Sequence, residues 1–188
     1  QKICMKKNII PAIRLTIVCI FVFMVAYPAL IWGLAQFTNN KGEGETVIVN
    51  NSVVGYTLEG QRFTDDKYFH GRPSAVNYNA AGSGGSNKGA SNPDYLHEVK
   101  DRIDTLIAHN SGIKKEDIPS DLVTASGSGL DPDISLQAAN IQAARIAATR
   151  NIPLEKILAL IQSNIDESIN GIQRINVLQL NIALDKLN

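Results

Sequence analysis

The chain of 188 residues, 44% hydrophobic and 19% charged, has room for one domain of ordinary size with a short appendage, which excludes two full enzymatic domains. Its 18 bases and 18 acids are unevenly placed, because the first 38 residues hold four bases and no acid. The remainder is mildly acidic with bases scattered among acids; it lacks the basic stripe that neutralises phosphates, so we expect no nucleic-acid partner.

An uncharged run from Leu15 to Phe37 is long enough to cross a membrane. Its 23 residues would extend about 35 Å as a helix, against a hydrocarbon core of about 30 Å. A cleaved secretory signal is the alternative, but its apolar region is usually only about 7 to 15 residues long. We therefore predict a short cytoplasmic N-terminus at residues 1–8, a transmembrane helix at residues 9–37 and one extracytoplasmic domain at residues 38–188.

The basic residues ahead of the apolar run predict its orientation. Lys6, Lys7 and Arg14 precede or begin the span. Positively charged flanks stay on the cytoplasmic side, so we expect the N-terminus inside and the C-terminal domain outside a bacterial inner membrane. Pro28 lies within the span, and its missing N–H predicts a kink that would suit a helix packed against partner proteins.

The external part begins with a predicted β-hairpin. Two β-branched runs, residues 47–49 and 53–58, flank a polar turn cluster at residues 50–52. A stretch rich in glycine, alanine, serine and asparagine then extends to Asn92 and predicts a loop. Residues 121–124 predict one further short strand.

Caps and apolar spacing predict the helices of the external part. One helix should extend over residues 93–109, a second, alanine-rich helix from about Ser135 to Arg150, and a third should begin at Pro153. The tail, residues 176–184, is ambiguous between strand and helix, although its apolar spacing fits a helix with Asn176 as its cap. The fold class is therefore α+β, with one transmembrane helix followed by a single mixed α/β domain.

Several segments resemble catalytic or binding motifs without completing them. Residues 82–89 are rich in glycine, but a phosphate-binding loop needs lysine after its last glycine, whereas Lys88 precedes Gly89. Residues 126–129 lack the spacing of a nucleophile elbow. The three histidines (His70, His97 and His109) lack the close spacing of a metal site. We therefore expect neither enzymatic activity nor a bound metal in this chain.

One alternative function remains open. The loops at residues 82–88 and 126–131 could form the binding site of a membrane-anchored module outside the membrane. Its ligand would be a nucleotide or another small polar molecule. A calcium loop at Asp131 and Asp133 is not expected, because the glycine and the final acid of such a loop are absent. A role in the turn and in the helix cap is the simpler interpretation of these two residues.

Long blocks of sequence, in order, resemble the C subunit family of the bacterial Kdp potassium-transporting ATPase. The blocks are GQRF (60–63), YFHGRPSA (68–75), SGGSNKGASNP (83–93), DLVTASGSGLDP (121–132) and NVLQLN (176–181). The resemblance implies a non-catalytic, single-pass accessory subunit that assembles and stabilises a high-affinity, ATP-driven potassium uptake complex. Its implied partners are a channel-like potassium-translocating subunit, a P-type ATPase subunit and a small membrane peptide, besides membrane lipid.

The resemblance also implies an involvement with ATP. In the family, a glutamine in the helix after the Gly-Leu-Asp-Pro block is proposed to contact nucleotide, and the subunit to act as a catalytic chaperone that raises the ATP affinity of the ATPase subunit. The matching position is Gln142, with Arg145 one turn later, so these are the candidate ATP-binding residues. Two observations favour another interpretation, in which Gln142 caps or packs in the core: the predicted topology keeps the domain away from cytoplasmic ATP, and no nucleotide motif is complete.

Overall fold

The computed structural model describes residues 2–38, 40–167 and 171–187. The chain divides into two units, Gln1–Glu45 and Thr46–Asn188. The boundaries predicted at residues 8 and 37 stay predictions.

The first unit is helical. It consists of α1 (Lys2–Ile20), a π-helical stretch (Phe21–Ala26) and α2 (Tyr27–Ala35). Within it, Asn8–Ala35 is long and apolar enough to cross a membrane, with a mean hydropathy of 2.5 over its apolar window, and is the one such helix in the described part of the chain. Its length of 28 residues agrees with the predicted span.

Pro28 lies at the start of α2, directly after the π-helical stretch. The N–H of Tyr27 donates to the carbonyl of Val22, five residues earlier, as in a π-helix. The missing N–H of Pro28 therefore falls beside the stretch in which the backbone hydrogen bonds change from the π to the α pattern. The helix changes type at the place where the sequence predicts a kink.

The second unit is a mixed α/β domain, as the sequence predicts. Its α-helices and strands, in chain order, are β1 (Thr46–Val49), β2 (Ser52–Tyr56), α3 (Pro93–His109), β3 (Asp133–Ser135), α4 (Leu136–Arg150), α5 (Leu154–Ser163), β4 (Asp166–Glu167), β5 (Gln173–Asn176) and α6 (Val177–Asp185). Short 3₁₀ turns occupy Ala80–Gly82, Lys115–Asp117 and Ser120–Leu122.

The predicted hairpin is confirmed. Strands β1 and β2 pair antiparallel, with Ile48 opposite Val53 and a bulge after Val47. Asn50 and Asn51 both adopt positive φ angles, of 49° and 63°, as a two-residue hairpin turn requires. The second strand ends at Tyr56 and so stops short of the predicted end at residue 58.

The strand predicted at residues 121–124 is wrong. Ser120–Leu122 forms a 3₁₀ turn, in which the carbonyl of Ser120 accepts hydrogen bonds from the N–H groups of Val123 and Thr124. The hydroxyl of Thr124 donates to the same carbonyl at 2.7 Å. These local bonds take the place of a strand ladder, while Leu122 supplies the apolar contact with the core.

The second sheet holds the strands that the sequence analysis missed. Its order is β3-β5-β4, with antiparallel pairing throughout. The pair Ile134 and Ile175 is buried at its centre. Each of these strands has only two to four residues, too few to display the alternation of apolar and polar side chains that reveals a strand.

The helix predictions are confirmed, and α3, α4 and α6 each begin with a capping side chain. The side chains of Asn92, Ser135 and Asn176 accept hydrogen bonds from the first turns of α3, α4 and α6, at 3.1, 3.1 and 3.0 Å. The ambiguous tail is therefore a helix. Asp131 shapes the turn ahead of β3, since its carboxylate accepts a hydrogen bond from the N–H of Asp133 at 3.1 Å.

Helix α4 supplies much of the core. Small side chains on its buried face allow close packing against α5 and the second sheet. The buried apolar residues of the domain include Phe69, Leu122, Ile134, Ala138, Ala139, Ala143, Ile146, Ile157, Ile161, Ile175, Leu180 and Leu184. Ala144 and Ala148 face solvent, so the alanine-rich composition serves packing on one side and helix propensity on the other.

Candidate functional site

Residues 65–70, which we call the strap, lie outside the helices and strands. The strap contains Phe69, whose side chain is fully buried in the core. Its backbone polar groups cannot form a ladder in this position, so side chains from neighbouring helices must satisfy them. Helices α4 and α6 supply those side chains, and both predicted site residues are among them.

The side chain of Gln142, in α4, forms hydrogen bonds with both the N–H and the carbonyl of one strap residue, His70. Its Oε1 accepts a hydrogen bond from the N–H of His70 at 2.8 Å, and its Nε2 donates to the carbonyl of His70 at 3.1 Å. Nε2 also donates to the carbonyl of Ala138, and Oε1 also accepts from Arg145 at 2.9 Å. The side chain is 0% exposed, and these four bonds use the full capacity of its amide.

Arg145 lies one turn further along α4, with a side chain that is 4% exposed. Its Nε donates to Oδ1 of Asn110 at 2.9 Å. Its Nη1 donates to the carbonyl of Asp66, and its Nη2 to the carbonyl of Tyr68 at 3.1 Å. The guanidinium therefore binds the end of α3 and two backbone carbonyls of the strap at once.

Asn181 of α6 holds the strap in the same manner as Gln142. Its Oδ1 accepts from the N–H of Phe69 at 2.9 Å, and its Nδ2 donates to the carbonyl of Phe69 at 3.0 Å. Two buried amides from two helices thus bind the backbones of consecutive residues. Each amide supplies the hydrogen bonds that an adjacent β-strand would otherwise supply, because a side-chain amide presents the same kinds of donor and acceptor as a peptide group.

The charge of Arg145 is balanced at the edge of the site. Burial lowers the pKa of its guanidinium, because desolvation disfavours the charged form. The carboxylate of Asp66 lies 3.7 Å from Nη1 and offsets part of this effect. The same carboxylate is 2.8 Å from Nδ1 of His109 at the end of α3.

A second cluster holds the strap from its solvent side. Nε of Arg150 donates to the carbonyl of Lys67 at 2.8 Å, and its Nη2 forms an ion pair with Asp185 at 2.6 Å. The guanidinium carbon lies 4.9 Å from the ring centre of Tyr68, and the Tyr68 hydroxyl donates to Asp185 at 3.2 Å. The strap is therefore fixed by α4 and α6 over most of its length.

Acid should weaken the domain through His70. Burial lowers the pKa of its imidazole, and the nearby positive charge of Arg145 acts in the same direction. The unfolded chain therefore binds the proton at a higher pH, so the free energy of unfolding should fall as the pH drops below about 6.5, until the folded-state pKa of His70 is passed.

This effect can be measured by urea unfolding of the full chain in detergent at about pH 7.5 and about pH 5.5, a window above most carboxylate titrations. His70→Gln keeps a side-chain donor for the carbonyl of Asp65, which His70 Nε2 contacts at 3.2 Å, and should show a smaller difference between the two conditions. An undiminished difference in this variant would assign the pH dependence to another group.

The structure thus brings the two predicted site residues into direct contact. Both Gln142 and Arg145 are occupied by protein groups in the described conformation, as the core interpretation expects. Their assignment as ATP-binding residues stays a prediction. A bound nucleotide would need to replace the strap as their hydrogen-bond partner, since the strap takes most of the bonds described above.

The sequence analysis missed Asn181 and Asn110 as members of the site. A signal for Asn181 was present, because it occupies an apolar position in the series Val177, Leu180 and Leu184. A polar side chain at such a position is buried and needs partners. Asn110 gave no comparable signal, as a residue just after a predicted helix end is usually exposed.

The two glycine- and serine-rich loops of the alternative function also lie together. The N–H of Gly84 and the hydroxyl of Ser83 donate to the carbonyl of Ser128, at 2.8 and 3.1 Å. The hydroxyl of Ser74 donates to the carbonyl of Gly129 at 2.6 Å, and Gly129 has a φ angle of 69°. The loops bind each other through these contacts, and ligand binding by them stays a prediction.

Comparison with known proteins identifies the family. The family model described as K+-transporting ATPase, c chain, matches residues 9–186. A Potassium-transporting ATPase KdpC subunit of Flavobacterium psychrophilum is 54% identical over 182 residues, covering 96% of this chain and 99% of the relative. Proteins with the same description from Bacteroides fragilis and Bacillus mycoides are 43% and 42% identical, over 96% and 94% of this chain and 98% and 94% of the relatives. The chain belongs to the KdpC family, the c chains of potassium-transporting ATPases.

Proposed function

We propose that the chain is a non-catalytic accessory subunit that assembles and stabilises an ATP-driven potassium uptake complex in a bacterial cell membrane. The observation that carries the proposal is the apolar helix Asn8–Ala35, of which no part is buried within the chain itself. Such a helix needs lipid or other membrane helices around it. Family membership supplies the complex to which the helix would belong.

The proposed topology is a single pass with the N-terminus in the cytoplasm. Lys6, Lys7 and Arg14 support it, because positively charged residues are retained on the cytoplasmic side. The domain from Thr46 onward would then face the outside of the cell. Its partners would be a channel-like potassium-translocating subunit, a P-type ATPase subunit and a small membrane peptide.

A catalytic-chaperone effect on ATP affinity would act indirectly in this proposal. Gln142 and Arg145 hold the strap, so a direct contact with nucleotide would first require the strap to leave α4. The proposed topology also separates these residues from cytoplasmic ATP. We therefore propose that the chain changes ATP use by holding the other subunits in their working arrangement.

Deletion of residues 1–38 should abolish co-purification of the chain with a tagged ATPase subunit of the same complex. A matched control replaces residues 9–35 with an unrelated apolar helix of equal length, which keeps the membrane anchor and removes specific helix contacts. Loss in both variants indicates that the helix itself binds partners, whereas rescue by the control indicates anchoring alone. Stoichiometric co-purification of the truncated chain would contradict the proposed role of the helix.

A further inference from the structure

The hairpin formed by β1 and β2 leaves a large apolar face exposed. Ile48 and Val53 are opposite each other across the two strands and are 62% and 59% exposed. Tyr56, which pairs with Thr46, is 40% exposed. We call these three side chains the outer hairpin face, and exposed apolar side chains that adjoin one another in this way mark interaction surfaces.

The opposite face of the hairpin borders a groove on the domain. Val49 and Val54 line a groove of about 370 Å³, together with Leu178 and Ile182 of α6. Because strand side chains alternate between faces, the residues that meet this groove cannot also cover Ile48 and Val53. The hairpin thus turns one face to a groove on the domain and presents the other to solvent.

We propose that the outer hairpin face docks on an uncharged, apolar patch of another subunit of the potassium-transporting complex, outside the membrane; this inference rests on the proposed function. Residues 46–58 contain no charged side chain, so the matching surface needs no charge. Only residues 36–45 separate α2 from β1, a length that can extend at most about 36 Å. A subunit that packs against the membrane helix and extends outside the membrane would therefore have surface within reach of the hairpin.

The pattern of the hairpin favours a protein over lipid as the occupant. Its tip consists of Asn50, Asn51 and Ser52, which are polar and exposed, and its apolar side chains lie along the strands. A hairpin that inserted into a bilayer would carry apolar residues at the tip, because an unpaired polar tip is costly in hydrocarbon. Amphipathic membrane-surface segments also carry lysine or arginine, which this hairpin lacks.

A photo-crosslinking residue at position 53 of the full chain, in the assembled complex, tests what covers this face. We expect crosslinks to another subunit of the complex, and far fewer from the same residue at position 96, since Leu96 is also exposed, at 54%, but lies on α3. Crosslinks only to a second copy of the chain or to lipid, or no crosslink above the level at position 96, would overturn the proposal.

Val53→Lys should also weaken co-purification with the complex about tenfold, because it removes one central apolar contact of the interface. Leu96→Lys, the control, should leave co-purification unchanged. Circular dichroism of the isolated chains in detergent must show equal unfolding midpoints for the wild type and Val53→Lys. Val53→Thr, which keeps the β-branched shape, serves in place of Val53→Lys if that variant fails to fold. Unchanged co-purification of a folded variant overturns the inference.

A parallel preparation without the chain separates this inference from the proposed function. If the complex assembles and works equally well without the chain, the proposed function fails. If omission of the chain disrupts the complex and the hairpin variants do not, only the docking surface is wrong.

Discussion

Replacement of Arg145 by alanine should lower the free energy of unfolding of the domain from Thr46 onward by about 4 kcal/mol. The buried guanidinium satisfies the side chains of Asn110 and Gln142 and the carbonyls of Asp66 and Tyr68. Alanine would remove this donor from all four acceptors, of which Gln142 Oε1 keeps the N–H of His70, and each buried group left unsatisfied adds a desolvation cost. Urea unfolding of the full chain in detergent, followed by far-ultraviolet circular dichroism, measures the change.

Two further variants sharpen this test. Arg174 is half exposed and forms ion pairs with Asp166 at 2.9 Å and Asp133 at 3.5 Å, so Arg174→Ala should cost far less stability than Arg145→Ala. Arg145→Lys should recover only part of the loss, since one ammonium cannot reach acceptors on α3 and on the strap together. Equal costs for Arg145→Ala and Arg174→Ala would contradict the structural role of the buried arginine.

Gln142→Ala should lower the free energy of unfolding by about 3 kcal/mol, through the cavity it leaves and the polar groups it orphans. Gln137→Ala is the matched control, because Gln137 lies on the same helix, is exposed and donates one hydrogen bond to the carbonyl of Asp117 at 2.8 Å. We expect that control to change stability by about 0.5 kcal/mol.

A local measurement distinguishes loss of the strap contact from general destabilisation. Hydrogen exchange of the His70 amide should accelerate in Gln142→Ala, because this N–H loses its acceptor at 2.8 Å. The Phe69 amide, held by Asn181 at 2.9 Å, should keep more of its protection. Equal acceleration across α5 and the strap would indicate that Gln142 supports the whole fold and has no particular role at the strap.

The elements that the sequence predicted are those with local signals. A capping side chain followed by apolar residues at helical spacing predicts each of the helices α3, α4 and α6. Each of these helices begins directly after its cap. The hairpin has β-branched runs around two asparagines that tolerate positive φ. Such signals act over a few residues, so a single sequence displays them.

Elements that depend on distant partners were not predictable in this way. Strand β3 exists because Ile134 meets Ile175 some forty residues later, and nothing in the three residues of β3 shows that pairing. The strap is a similar case, since its backbone bonds come from α4 and α6. Gln142 and Arg145 were singled out by resemblance, but the hydrogen bonds that they make emerge only from the fold.

In our proposal, Gln142 supports the domain from Thr46 onward and the chain acts through assembly of the complex. The potassium-stimulated ATPase rate of the complex as a function of ATP concentration, with the wild-type chain, with Gln142→Ala and without the chain, tests it most directly. We expect that omission of the chain impairs the complex and that Gln142→Ala, well below its unfolding temperature, leaves the apparent KM for ATP unchanged. A clear rise in that KM, in a complex that remains fully assembled and folded, would contradict this proposal and would assign Gln142 a role in nucleotide binding.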